Sequence, residues 1–311
     1  MTNSPQLITI KGGRIDYHDK EESTMAKTRV AILTDTNSGI TIKEAADLGI
    51  FLILMPVLID GNVYLEEKDI SKDFFFEKLE ANADVTTSQP SPGDMLDMFD
   101  KILEEYEELV YIPMSSGLSG TCETANMLAA DYDGRVHVVD NRRISITMRQ
   151  SVLDAIALAK AGKSGAEIAQ YLNEDGLNAS IYIVVDTLKY LKKGGRVTAA
   201  GAALGAVLNI KPVLQIQGGK LDAFAKVRGM KAAMKTMTQA IDKDIETRFA
   251  GQKIIINGAY SGDDEIGIAV EKDLKERYPD AHVEVYPLSM SISTHVGPGA
   301  IGIGVYSYYE G

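Results

Sequence analysis

Leu109-Val110-Tyr111-Ile112-Pro113-Met114-Ser115-Ser116-Gly117-Leu118-Ser119-Gly120-Thr121 passes from an apolar run to a hydroxyl-rich loop at a single proline. The run Leu109–Ile112 reads as a short buried strand, Cys122–Ala130 as a helix, and Val136–Val139 as a second strand. Upstream, Arg29–Thr34 is another buried strand, with Asp35–Ser38 as its turn. Thr41 then caps a helix, and Glu44 three residues on completes a capping box. Phe51–Ile59 is a second apolar run, broken by Pro56. Ser71–Leu79 reads as helical. Pro92–Glu107 is an amphipathic helix with Met95, Leu96, Phe99, Ile102 and Leu103 on its apolar face. This alternation of strand and helix predicts an α/β fold with a mainly parallel sheet and flanking helices.

Working outward to the C-terminus, Ile144–Ala161 and Gly165–Asn173 read as two helices that mark a change of lobe. Ser180–Val185 begins new strand sequence. Val197–Leu208 is rich in Ala and Gly, so another surface or a ligand could approach its backbone closely. Lys211–Gln217 and Leu221–Val227 flank Gly218-Gly219 and predict a hairpin. Met230–Thr247 is a long helix. Lys253–Asn257 and His282–Tyr286 are predicted strands, with helix Glu265–Tyr278 between them. Residues 1–24 are polar and lie outside the core pattern, so they are expected to form a flexible or separately packed extension. The rest divides into expected lobes at 28–175 and 176–311.

Composition narrows the function. The 311 residues are 45% hydrophobic and 24% charged, as in a soluble globular protein, with a net charge of −12. That charge argues against a nucleic-acid partner, which needs a basic footprint, and against a broadly basic membrane-binding face. No run approaches the ~20 apolar residues of a membrane span, so no stable membrane insertion is expected. No secretory signal is visible, and a reducing cytoplasm fits the single cysteine. Cys122 reads as a small packing residue ahead of a nucleophile. No metal-ligand spacing and no phosphate-binding Gly-Lys-Ser/Thr loop occurs, and no cofactor is expected. Gly117-Leu118-Ser119-Gly120-Thr121 fails as a nucleophile elbow because Thr121 replaces the final Gly.

Three polar runs carry the chemistry. They are Thr87-Ser88-Gln89-Pro90-Ser91, Ser115–Thr121 and Ser293-Thr294-His295-Val296-Gly297-Pro298-Gly299. Together they supply hydroxyls and one histidine without a carboxylate. Such a set can hold an anionic oxygen without repelling it. Ser119, Gly120 and Thr121 sit between a strand end and a helix start, where anions are favoured, although Ser and Thr there are equally common helix caps. His295 lies before a Gly-Pro-Gly loop, where an imidazole can project into a cleft and donate to an anion. Two basic turns, Lys192–Arg196 and Lys226–Lys231, suggest an anionic ligand or a docking patch.

Taken in order, these motifs closely resemble the DegV family. The resemblance runs from about Thr28 to the C-terminus and rests on Thr34-Asp35-Thr36, Thr87–Ser91, Ser116–Thr121, Gly194-Gly195-Arg196, Lys226–Gly229 and Thr294–Gly299. It implies a two-lobed α/β fold, each lobe a mainly parallel sheet with flanking helices, with a ligand between the lobes. The implied ligand is a long-chain fatty acid such as palmitate or oleate. The implied role is the acyl-carrying subunit of a bacterial fatty-acid kinase, without catalysis of its own. A separate ATP-binding kinase subunit would phosphorylate the bound carboxylate, giving an acyl-phosphate for phospholipid synthesis. Residue by residue, Thr87 and Ser119 match carboxylate-binding hydroxyls, with Ser88 and Gly120 beside them, and His295 matches a head-group histidine. Arg196 and Arg228 match basic positions at the head group or the partner-docking face. Asp140-Asn141-Arg142-Arg143-Ile144-Ser145 departs from the Ser- and Gly-rich sequence usual there. Two rival readings stand beside this one. One is an acyl hydrolase using Ser119 or Cys122 with His295; the other is a regulatory protein with a structural lipid.

Overall fold

The computed structural model describes residues 28–202 and 210–310. Its strands, in chain order, are β1 (Thr28–Asp35), β2 (Phe51–Ile53), β3 (Pro56–Ile59), β4 (Asn62–Leu65), β5 (Val85–Thr87), β6 (Tyr106–Ile112) and β7 (Val136–Val138) in the first half. The second half holds β8 (Ala179–Val184), β9 (Ile210–Ile216), β10 (Leu221–Arg228), β11 (Ile254–Tyr260), β12 (Val285–Pro287) and β13 (Ile301–Ser307). Among the described residues these strands form three sheets, ordered β2-β1-β6-β7, β4-β3-β5 and β10-β9-β8-β13-β11-β12.

The first sheet is parallel throughout, as the alternation of strand and helix requires. Helices cover both of its faces. On one side the Pro92–Glu105 helix buries Met95, Phe99, Ile102 and Leu103 against Leu33, Leu109 and Tyr111. Its start is set by Ser91, whose Oγ accepts from the Asp94 amide, and by Pro92 in the first turn. On the other side the Ser145–Lys160 helix buries Met148, Val152 and Ala155 against Ile32, Val110 and Ile112.

The second sheet corrects the expectation of a mainly parallel sheet in each lobe. It is mixed: only β11 and β12 run parallel, and its other four pairings are antiparallel. Two features cause this. The short Gly218-Gly219 turn joins β9 to β10 as an antiparallel hairpin, and β13 returns from the C-terminus to lie between β8 and β11. Strand β8 is buried along its whole length because both faces are covered. Tyr182 and Val184 pack towards the Met230–Thr247 helix, while Ile181 and Ile183 point the other way, into a cluster with Leu191, Leu214 and Ile292. That second face, set against the carboxyl ends of β1 and β6, is where the functional cavity lies. The apolar run Phe51–Ile59 is split at Pro56 between two sheets, β2 in the first and β3 in the small one. The predicted strand His282–Tyr286 starts later, as β12.

Candidate ligand-binding site

Strand β5 pairs antiparallel with β3 through Val57 and Thr87, and this delivers the Thr87 side chain to the gap between the two large sheets. There Thr87 Oγ1 lies 2.8 Å from His295 Nε2, although 208 residues separate them in sequence. His295 sits in the last turn of the Met290–Val296 helix, which ends at Gly297 with φ +77°, a conformation open to glycine.

The start of that helix is held from a distance. Ser289 Oγ accepts from the Ile292 amide, while Glu66 accepts from the Met290 and Ser291 amides at 3.1 and 2.8 Å. Glu66 is buried. Burial raises its pKa to about 8, against the lowering effect of those amides and with a smaller push from Asp35 and Glu67. Asp35 is also buried, and desolvation raises it to about 6 while the Asn37 and Met114 amides pull it down. Both carboxyls stand behind the site, and neither lines it.

His295 is held neutral. Burial, with Arg196 nearby, lowers its pKa to about 4. Its Nδ1 is buried and has no hydrogen-bond partner among the described residues. A Cβ placed on Gly194 would lie 2.1 Å from that nitrogen, so only glycine lets the Lys189–Gly194 helix pack against the imidazole.

Ser119 Oγ pairs with Thr121 Oγ1 at 2.8 Å and accepts from the Thr121 amide at 3.2 Å. The Gln89 side chain bonds to Thr124 Oγ1 at 3.0 Å, bringing the first polar run against the helix that follows the second. Gly120 packs closely there: a Cβ on it would stand 3.0 Å from Gln89 Oε1, at the movable end of that side chain.

These side chains meet at one end of a cavity of about 890 Å³, open mouth included. Thr87, Ser88, Gln89, Ser119, Arg196 and His295 form its polar end. Its walls are apolar, with Met55, Ile183, Leu191, Ile216, Leu221 and Ile292 among them. Among the described residues no Asp or Glu lines it. Leu118, Ser119 and Arg196 also line an open cleft with Ser116, Gly120, Thr198 and Lys220, so the polar end faces the outside.

Of the residues expected from sequence, Thr87, Ser88, Ser119, Arg196 and His295 share this cavity, and Gly120 lies in the adjoining cleft. Arg228 does not join them. Leu221 lines the cavity at the start of β10, and Arg228 ends the same strand seven residues on, roughly 23 Å away at 3.3 Å per residue. Of the small-residue wall Val197–Leu208, residues 203–208 lie outside the described residues. Sequence reasoning missed Asn37, Ser145 and Ser291 as lining residues; Gln89 stood inside a quoted run without being singled out. Cys122 is buried, and burial with Asp140 nearby raises its thiol to about 12, so it stays protonated and unreactive. Among the described residues no three His, Cys, Asp or Glu side chains gather as metal ligands.

A family-wide sequence model described as "Uncharacterised protein, DegV family" matches residues 29–308. A DegV domain-containing protein of Deinococcus radiodurans is 30% identical over 280 residues, covering 89% of this chain and 98% of that protein. A solved structure described as fatty-acid binding by a DegV family protein from Thermus thermophilus is 31% identical, with TM-score 0.82 over 90% of this chain and 99% of that one. Another, described as DegV, a fatty-acid-binding protein from Bacillus subtilis, is 26% identical, with TM-score 0.80 over the same shares.

Proposed function

The chain belongs to the DegV family, and from that premise we propose that its cavity holds a long-chain fatty acid, such as palmitate or oleate, and presents the carboxylate to the ATP-binding subunit of a fatty-acid kinase. The product would be an acyl-phosphate for phospholipid synthesis. The observation that carries this reading is the cavity itself: largely apolar walls, a cluster of donors around Thr87, Ser119, Arg196 and His295, and no acid among the described lining residues. Each CH₂ moved from water into such a slot contributes roughly 0.8 kcal/mol. The hydroxyls of Thr87 and Ser119 and the guanidinium of Arg196 would satisfy the carboxylate, which is costly to bury unpaired. The two solved relatives above are both described as fatty-acid binding, which supports the same ligand here.

The open cleft beyond Ser119 and Arg196 supports access for a second protein to the head group. In this reading the chain has no catalysis of its own. Ser119 bonds to Thr121, His295 bonds to Thr87, and Cys122 is a buried thiol, so among the described residues no serine or cysteine of the site is paired with a histidine base. Among the described residues no helix is long and apolar enough to cross a membrane; the protein in this reading works in the cytoplasm.

Mass spectrometry of the lipid extracted from protein purified from a bacterial host is expected to find a long-chain fatty acid. The absence of both co-purified lipid and uptake of added palmitate or oleate would refute the assignment. The packing of Gly194 on His295 supplies a second check. Alanine fits the Gly194 backbone but collides with the imidazole, so Gly194→Ala is expected to weaken palmitate binding by about tenfold through the displaced head-group contact. Its far-UV circular dichroism should stay unchanged, and wild-type affinity would contradict the placement of His295.

A further inference from the structure

The cavity has a second polar pole. Ser145 and Ser291 line it, and they are 7% and 3% exposed. Neither side-chain hydroxyl has a hydrogen-bond partner among the described residues. Asn37, fully buried, lines the cavity beside them, and its three-residue helical turn packs against both helices that carry the serines. The Asn37 amide and Nδ2 donate to Asp35 Oδ1, and Ser289 Oγ donates to Asn37 Oδ1 at 3.4 Å. Ser145 opens its helix at φ +53°, a conformation that L-residues seldom adopt. Around the two serines the wall is apolar, with Ile144, Ile146, Leu288 and Ile292. Two unpaired hydroxyls in such a wall are costly unless something in the cavity pairs with them.

We propose that Ser145, Ser291 and Asn37 form a subsite for a hydroxyl group carried on the acyl chain, so that hydroxylated fatty acids are the preferred ligands. This rests on the fatty-acid reading above. The electrostatics fix which pole takes which group. The Asp35 carboxylate backs the second pole through Asn37, so an anion there would be repelled, whereas a neutral hydroxyl can both donate and accept. Arg196 stands at the other pole, where the carboxylate belongs. Ser291 precedes His295 by four residues on one helix face, about 6 Å along its axis. The hydroxyl therefore sits on the half of the chain nearer the carboxylate.

The test compares hexadecanoic acid with its monohydroxy isomers, the hydroxyl moved stepwise from the carbon beside the carboxylate to mid-chain. Dissociation constants are measured for wild type, Ser145→Ala, Ser291→Ala and the double variant, each checked for folding by thermal melting. One isomer hydroxylated in the proximal half should bind wild type about fivefold or more tighter than its neighbours. That preference should shrink in each single variant and vanish in the double, while hexadecanoic acid binds the variants at least as well as wild type. Equal binding of all isomers, as when water fills the pole, overturns the subsite and leaves the fatty-acid reading intact. A preference that survives in the double variant also overturns the subsite. Failure of every acid to bind wild type overturns both.

Discussion

His295→Ala is expected to weaken palmitate binding by about ten- to hundredfold, Thr87→Ala by a similar factor, and the double variant by little more than either. The reason is the 2.8 Å contact between Thr87 Oγ1 and His295 Nε2. At neutral pH the imidazole carries one proton, because burial and Arg196 hold its pKa near 4. With the proton on Nε2, His295 donates to Thr87 Oγ1, and the threonine hydroxyl is free to donate to a carboxylate. With the proton on Nδ1, Thr87 must donate to the ring and has nothing left for the ligand. A bound carboxylate therefore selects the first tautomer, and the two side chains act as one relay. Removing either end removes the relay, so their effects should not add. Additive losses in a double-mutant cycle would show that Thr87 and His295 act separately.

The same relay sets a pH dependence. A carboxylate near the imidazole favours its charged form, so binding raises the His295 pKa above its ligand-free value of about 4. A group whose pKa is higher in the bound state takes up a proton on binding. Its contribution is full below the free pKa and is lost as pH rises through the bound pKa. Palmitate affinity should then be flat at alkaline and neutral pH and increase as pH falls through the bound pKa towards 5, where a carboxylic acid with a pKa of roughly 4 to 5 is still largely ionised. Isothermal titration at several pH values checks this. The slope should be absent in His295→Ala, and its persistence there would assign it to another group.

Much of this was legible in the sequence, for reasons that differ by element. Strands β1 and β6 read as strands because a parallel strand covered on both faces is apolar along its length. Strand β13 escaped because Ile301–Ser307 alternates Gly with branched residues, which marks a strand weakly. Without it the order and direction of the second sheet could not be drawn. The small sheet was invisible because β4 and β5 have only four and three residues. In the site, Thr87, Ser119 and His295 announced themselves by hydroxyl density and by the Gly-Pro-Gly loop. Ser145 and Ser291 did not, since one stands at the start of a helix and the other in the first turn of one, where serine is ordinarily a cap. Their significance comes from hydroxyls left unpaired inside a cavity, which is a property of packing.

Arg143 is the other residue whose weight only the packing reveals, and Arg143→Met is expected to destabilise the protein by about 3–5 kcal/mol. It lies in the segment that departs from the family pattern, and its side chain is 1% exposed. Nη2 donates to the Asp175 carboxylate at 2.7 Å and to the Asp175 carbonyl at 2.7 Å; Nε reaches the Gly176 carbonyl at 3.4 Å, and Nη1 reaches Ser151 Oγ at 3.3 Å. The guanidinium thus caps the end of the Gly165–Asp175 helix, where backbone carbonyls lack helical partners, and pairs with a largely buried carboxylate at the same time. Methionine keeps the bulk but strands the Asp175 charge, which is the costly way to break a buried pair. Arg143→Lys should fall between, because an ammonium lacks the planar fork that reaches several acceptors. Adding Asp175→Asn to Arg143→Met should recover part of the loss by removing the stranded charge, though not the part due to the uncapped carbonyls. Urea unfolding measures all three variants; a loss below about 1 kcal/mol for Arg143→Met would mean that water replaces the guanidinium. Arg142 and Ser145 flank this anchor with φ of +61° and +53°, and Ile144, Ser145 and Ile146 line the cavity. A turn holding two non-glycine residues at positive φ needs such a tether. Arg143→Met should therefore also weaken palmitate binding in protein that is still folded, because the wall of the slot is built on the turn that Arg143 fixes.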